Sequence, residues 1–232
     1  RGNDSSVDEN GAGMYNFNLS ARGGGDLFNF FISAENGEEQ GVFHNNYARR
    51  TGGRANFGFT PSEKFNFNVN LGYLNDQGFT PGNSLQRFNL SVGGRSQLSN
   101  KFTVQATANF ARTDYRTPPI ASSRGNGTDG LSVFGNVLFT PISVDLMGLP
   151  FENPIDGSSV YYRNGNDIIN PRWTAKNVTY KQLTHRVNWT AQLTYQLNDN
   201  LSINWRSGLD FYNERNENGS NKGGVEFTNA IF

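Results

Sequence analysis

A strict two-residue alternation of apolar and polar side chains constrains this chain more than any other feature. One parity carries Val187, Trp189, Ala191, Leu193, Tyr195 and Leu197; the other carries Asn188, Thr190, Gln192, Thr194 and Gln196. Successive side chains of a strand point to opposite faces, so the spacing predicts one apolar and one polar face, and no helix gathers these residues on one side. Asn198-Asp199-Asn200 interrupts the pattern with residue types that favour turns. It resumes with Leu201, Ile203, Trp205, Leu209 and Phe211 against Ser202, Asn204, Arg206, Gly208 and Asp210. The stretch predicts a β-hairpin whose arms run to roughly eleven residues, against about 5–6 for ordinary soluble strands. A tilted strand needs roughly 9–11 residues to cross a bilayer.

The same alternation recurs from the N-terminal side. Tyr15, Phe17, Leu19 and Ala21 alternate with Asn16, Asn18, Ser20 and Arg22, and a turn follows at Gly23–Asp26. Phe28, Phe30, Ile32 and Ala34 then alternate with Asn29, Phe31, Ser33 and Glu35, where Phe31 breaks the pattern. Further strands are predicted over 54–59, 65–73, 87–93 and 102–110, and Val225–Phe232 reads as the start of a ninth. Short turns at Gly24, Ser62, Asn100 and Asp199 alternate with longer connections around Glu38, Thr80, residues 115–180 and Asn218. Outer-membrane barrels sort their connections in this way, with short periplasmic turns and long extracellular loops. The expected fold is therefore all-β: an antiparallel up-and-down transmembrane β-barrel, present as about eight to nine strands of a larger barrel.

Composition fits. Only 35% of the 232 residues are hydrophobic, yet 13% are aromatic, with 19 Phe and 9 Tyr. A barrel that turns alternate residues toward lipid looks hydrophilic on average. Formal net charge is zero, which gives no electrostatic case for nucleic acid. There is no cysteine, so disulfides and thiolate metal sites are excluded. No apolar run approaches the ~18 residues of a transmembrane helix.

The chain divides into a polar lead-in, 1–12, and a partial barrel, 13–232, with a long extracellular loop at about 115–180. Within that loop Leu131, Val133, Phe134, Val137 and Leu138 have near-helical spacing, with Thr128 or Asp129 as cap and Pro141 as terminator. Its rings Tyr161, Tyr162 and Trp173 are candidates for binding a sugar or a partner protein by stacking; the bland alternative is that they pack the loop onto itself.

Three stretches carry a family resemblance. They are the run FNFFISAENGEEQGVF…RRTGGRANFGFTPSEKFNFNVNLGYLNDQG…QRFNLSVGG, the motif Asn170-Pro171-Arg172-Trp173 before a strand, and the turn Tyr195–Ser202. In this order they resemble the SusC/RagA family of TonB-linked outer-membrane transporters. The Gly-x-x-x-x-Gly loop of the family is matched at Gly37–Gly41 with one residue fewer between the glycines. The resemblance implies a barrel of about 22 strands around a lumen plug, located in the bacterial cell outer membrane. It imports oligosaccharides, glycans or peptides, works with a SusD-like surface lipoprotein, and is energised by TonB. The chain matches the N-terminal part of such a barrel, and the plug and the TonB box would precede it. A complete small barrel acting as adhesin or passive pore, and a soluble carbohydrate-binding β-sandwich, are the alternatives.

Catalysis is not expected. Gly23-Gly24-Gly25-Asp26 lacks the following Gly-Lys-Ser/Thr of a phosphate loop. No Ser-His-Asp set is evident, and Glu38/Glu39 read as solvated loop charge. Glu214, Asn216, Glu217 and Asn218 offer oxygen donors without the spacing of an EF-hand. No cofactor or metal site is expected. The functional signal lies in the polar parity, where Arg22, Arg54, Asn68, Arg87, Asn188, Gln192, Asn204 and Arg206 are the candidates for lining a solute path.

Overall fold

The computed structural model describes residues 13–41, 47–80, 82–118, 132–160 and 169–224. Eight strands are present: β1 (Met14–Gly24), β2 (Phe28–Gln40), β3 (Tyr47–Ser62), β4 (Phe65–Gln77), β5 (Ser84–Ser99), β6 (Phe102–Thr117), β7 (Val178–Asn198) and β8 (Leu201–Ser220). They form one sheet in the order β1-β2-β3-β4-β5-β6-β7-β8, each strand beside its sequence neighbour. This is an antiparallel meander that does not close into a barrel. The predicted lead-in, 1–12, and the ninth strand at Val225–Phe232 lie outside the described residues.

Contacts divide the chain into two compact units. The first comprises Arg1–Phe79, Leu85–Asp114 and Leu183–Arg215; the second comprises Thr80–Ser84, Tyr115–Gln182 and Asn216–Phe232.

In the first unit, register fixes the two faces, because directly paired residues of an antiparallel ladder share a face. Ala21 pairs with Ile32, Ile32 with Ala55, Ala55 with Leu71 and Leu71 with Leu90. One apolar rung thus crosses five strands. Aromatic residues flank the aliphatic centre. Toward the tight turns, the rings of Phe28 and Phe59 lie 4.9 Å apart and those of Phe102 and Tyr195 6.4 Å apart. Toward the longer connections, the rings of Phe88 and Phe110 are 6.3 Å apart. One step further on the same face the rung is polar: Asn36 pairs with Thr51, Thr51 with Asn75 and Asn75 with Gln86. Asn36 Nδ2 donates to Thr51 Oγ1 at 2.9 Å, and Arg49 Nε donates to Glu38 Oε2 at 2.6 Å. The apolar face is therefore a bounded band with a polar border.

The band is uncovered. Leu19 is 77% exposed, Phe211 61% and Trp205 53%. Among the described residues of this unit, the only buried ones are Gly52 and Gly93.

Three of the short connections are Glu63–Lys64, Asn100–Lys101 and Asp199–Asn200. Asn200 N donates to Asn198 Oδ1 at 3.0 Å within its turn, while Lys64 O and Lys101 O accept at 2.7 Å from Gln97 N of β5 and Gln196 N of β7 on the neighbouring strands. The fourth turn sits at Gly25–Leu27, just past Gly24, where Gly25 N donates to Phe28 O.

Several strands outrun the sequence-based boundaries. β3 begins at Tyr47, well before Arg54; β8 continues to Ser220, past Tyr212; and β2 runs through Gln40, so most of the Gly37–Gly41 match is strand and not loop. The added segments are polar on both faces and carry no alternation to read. The long connection is correspondingly bounded by Thr117 and Val178.

The second unit is organised around Trp173. Helix α1 (Val133–Leu138) is capped by Ser132, whose Oγ accepts from Gly135 N at 3.0 Å. The expected caps Thr128 and Asp129 lie outside the described residues. The helix stops at Leu138, shortly before Pro141, which has no N–H to continue it. Helix α2 (Pro171–Asn177) follows the rule for helix starts. Asn170 caps it, its Oδ1 accepting from Arg172 N at 3.0 Å, and Pro171 occupies the first turn, where the missing N–H costs nothing. The buried apolar cluster is Ile169, Trp173 and Val178, with Phe151 packed against it.

Candidate functional site

The polar parity of the first unit is the candidate site, and register places its residues in rows. Arg22 pairs with Phe31, Phe31 with Asn56 and Asn56 with Asn70. In the next row Ser33 pairs with Arg54, Arg54 with Gly72 and Gly72 with Asn89. In the row after that Asn18 pairs with Glu35, Glu35 with Gly52, Gly52 with Leu74 and Leu74 with Arg87. Asn68 stands toward the tight turns, between Gly58 and Gly93.

These rows enclose a depression of about 400 Å³ whose lining includes Asn18, Phe31, Glu35, Arg54, Arg87 and Asn89. Arg50 also borders it, but its Nη2 is held by Asp76 Oδ2 at 2.9 Å. Arg54 and Arg87 have no carboxylate within ion-pair distance among the described residues.

Missing side chains shape the space. A Cβ on Gly52 would stand 2.7 Å from Glu35 Oε1, closer than real Cβ contacts allow, so the Glu35 carboxylate lies across the backbone of β3. Gly72 stands opposite Arg54, and a Cβ there would lie 3.6 Å from Asn89 Nδ2.

The C-terminal hairpin is wired differently. Asn188 Oδ1 accepts from Asn109 Nδ2 at 2.7 Å, Gln192 Oε1 from Arg206 Nη2 at 2.8 Å, and Asn204 Oδ1 from Thr194 Oγ1 at 2.7 Å. Arg186 and Asp210 form a two-pronged ion pair. Here the candidate residues spend their hydrogen-bonding groups on cross-strand partners. Arg54 and Arg87 hold theirs available.

Arg22, Arg54 and Arg87 share one face on adjacent rows but stand on β1, β3 and β5, and of the three only Arg54 and Arg87 border the depression, while Asn188, Gln192, Asn204 and Arg206 belong to paired rungs of the hairpin. Of the eight candidates only Arg54 and Arg87 line the depression; Phe31, Glu35, Tyr73 and Leu74 are among the lining residues that were not candidates. The signal for Phe31 was present as the one break in the alternation.

Tyr161 and Tyr162 lie outside the described residues. Trp173 is 0% exposed. Its Nε1–H donates to Gly157 O at 2.8 Å, and the backbone of Gly224 lies so close to its ring that a Cβ there would stand 2.5 Å from Cζ3. Trp173 therefore has no open face for stacking and packs the loop onto itself. Its neighbours in the motif are equally structural. The Arg172 guanidinium donates to the carbonyls of Leu146 and Met147 at 3.0 Å and lies 4.5 Å from the centre of the Phe151 ring. Lys176 pairs with Glu152, and the hydrogen bond from Lys176 holds the Glu152 carboxyl below the usual carboxylate range.

The oxygen donors near the end of β8 lie on both faces of the strand. Glu214, Asn216 and Asn218 share one parity of the strand and Glu217 the other, and Asn216 Oδ1 accepts from Tyr180 Oη at 3.0 Å. No cluster of three or more His, Cys, Asp or Glu suited to a metal occurs among the described residues. No helix among them is long and apolar enough to cross a membrane, which does not bear on strands.

Against known proteins, no family model matches the chain, and no curated protein gives a significant match.

Proposed function

We propose that this sheet is part of the wall of an outer-membrane β-barrel transporter of the SusC/RagA type. Its apolar band would face lipid, and its polar face would line the route of a polar solute, an oligosaccharide, glycan or peptide. The observation that carries the reading is the uncovered band itself. Apolar and aromatic side chains cross five strands in register, aromatics flank the aliphatic centre, and a polar rung ends the band. In water such a surface is a large exposed apolar patch, which soluble monomers rarely carry. In a bilayer it is the expected lipid-facing belt with interfacial aromatics.

Strand length supports the same reading. β7 has 21 residues and β8 has 20, more than a bilayer crossing needs. The polar extensions on both faces then belong above the membrane. Completion of the barrel by further strands satisfies the free edges of β1 and β8, which hydrocarbon does not tolerate. By the resemblance, a SusD-like lipoprotein would cover the extracellular side and TonB would act through a region preceding these strands.

The tryptophans test this. The chain has 3 Trp: Trp189 and Trp205 on the band and Trp173 in the loop core. Reconstituted into vesicles of bromine-labelled phospholipid, variants retaining only Trp189 or only Trp205 should be quenched, and a variant retaining only Trp173 should not. A water-soluble, detergent-free monomer in which all three escape quenching overturns the proposal.

A further inference from the structure

We infer that the depression between Phe31 and Arg87 is a subsite for an acidic sugar residue, a pyranose ring bearing a carboxylate. The inference rests on the bilayer reading, because it takes the polar face as the solute's route. Phe31 is an aromatic ring whose cross-strand partners are Arg22 and Asn56, on a face where the adjacent strands β1 and β3 place polar residues or glycine and Leu74 of β4 is the apolar exception. A ring in such company serves poorly as packing and well as a platform for the C–H face of a sugar.

Around it stand groups suited to the rest of such a ligand. Arg54 is diagonal to Phe31 across the β2–β3 ladder, a separation of roughly 7–8 Å between such positions. The residue opposite it is Gly72, which brings no side chain against its guanidinium. Arg87 closes the far side, and neither arginine has a carboxylate partner among the described residues. A guanidinium presents two parallel N–H groups to a carboxylate, which is why the charged group of the ligand belongs here. Glu35, Asn18 and Asn89 supply acceptors and donors for hydroxyls. The volume, about 400 Å³, exceeds one sugar ring and admits its neighbours in a chain.

The test uses the full chain reconstituted in lipid-doped micelles, with digalacturonate and the neutral disaccharide galactobiose as probes, read by calorimetry and saturation-transfer NMR. The acidic disaccharide should bind about tenfold more tightly, the scale of one charged hydrogen-bond pair. Arg54→Gln and Arg87→Gln should each erase that preference, weakening digalacturonate about tenfold and galactobiose by much less. Phe31→Leu should weaken both sugars alike. Where a Gln variant loses its β-sheet circular dichroism, Arg54→Lys replaces it and should cut the preference while keeping the charge. Equal binding of the two sugars, or none, with Trp189 and Trp205 still quenched by brominated lipid overturns the subsite and leaves the bilayer reading standing. Loss of that quenching overturns the bilayer reading, and the subsite falls with it.

Discussion

The two units of this chain solve the burial problem in opposite ways. In the second, Trp173, Ile169 and Val178 are enclosed, and buried side-chain polar groups are matched, Asn177 Nδ2 excepted. Asn170 caps α2, its Nδ2 donates to Val160 O at 3.0 Å, and the Trp173 indole finds Gly157. That is the economy of a protein core in water. In the first unit no large side chain is enclosed among the described residues, and the apolar residues form a surface. The comparison teaches that apolar content says little by itself. What counts is whether a chain turns its apolar groups toward itself or toward a different solvent.

Breaking the enclosed core should have the largest effect. Trp173→Ala removes the one fully buried aromatic among the described residues and leaves a cavity, a loss of about 3–5 kcal/mol for such substitutions. Hydrogen exchange should show the amides of 151–160 and 169–177 losing protection while those of β2 to β5 keep theirs. Equal loss in both units would erase the distinction between them.

The uncovered band should respond next. Leu193 lies near the middle of the apolar parity of β7, so Leu193→Arg in lipid should cost about 2–4 kcal/mol, the range for a cation at the midplane of a barrel wall. Ser202→Arg, on the opposite parity of β8, should stay within about 0.5 kcal/mol. Urea titration in vesicles compares the two, and similar costs would mean that the faces do not meet different solvents.

The smallest effect sharpens the second unit alone. Glu152 is held below the usual carboxylate range first by its hydrogen bond from Lys176. A depressed carboxyl stabilises the fold above its unfolded-state value, and that stabilisation is lost as pH falls through the folded value. Acidification from neutral to about pH 3 should therefore loosen the packing around Trp173 slightly, visible in its emission, and Glu152→Gln should flatten the response. Because the pair is exposed, the change should be small.

How much of this could be read from residues follows the same division. The strands β1 to β8 were legible wherever one face is apolar and the other polar, because a period of two has one explanation. They became illegible past Asn36, Thr51 and Asn75, where both faces are polar and the ladder continues without a pattern. The Asn170-Pro171-Arg172-Trp173 motif was visible, but its role was not. An Asn before a Pro signals a helix cap as well as a loop, and only the contacts of Arg172 and Trp173 show that the motif folds the segment onto itself. On the polar face the arginines were found by parity. Their division into paired and unpaired depends on Asp76, Gly52 and Gly72, whose rungs no single strand reveals. Phe31 stood out as an exception before it had neighbours to give it meaning.

Gly52 carries a further consequence. Because it has no side chain, Glu35 reclines along the sheet and does not stand up from it. The relief of the polar face at that point is set by an atom that is absent. A single methyl group at position 52 would push the carboxylate off the backbone without altering any charge, so the contour of this face is written in its smallest residues.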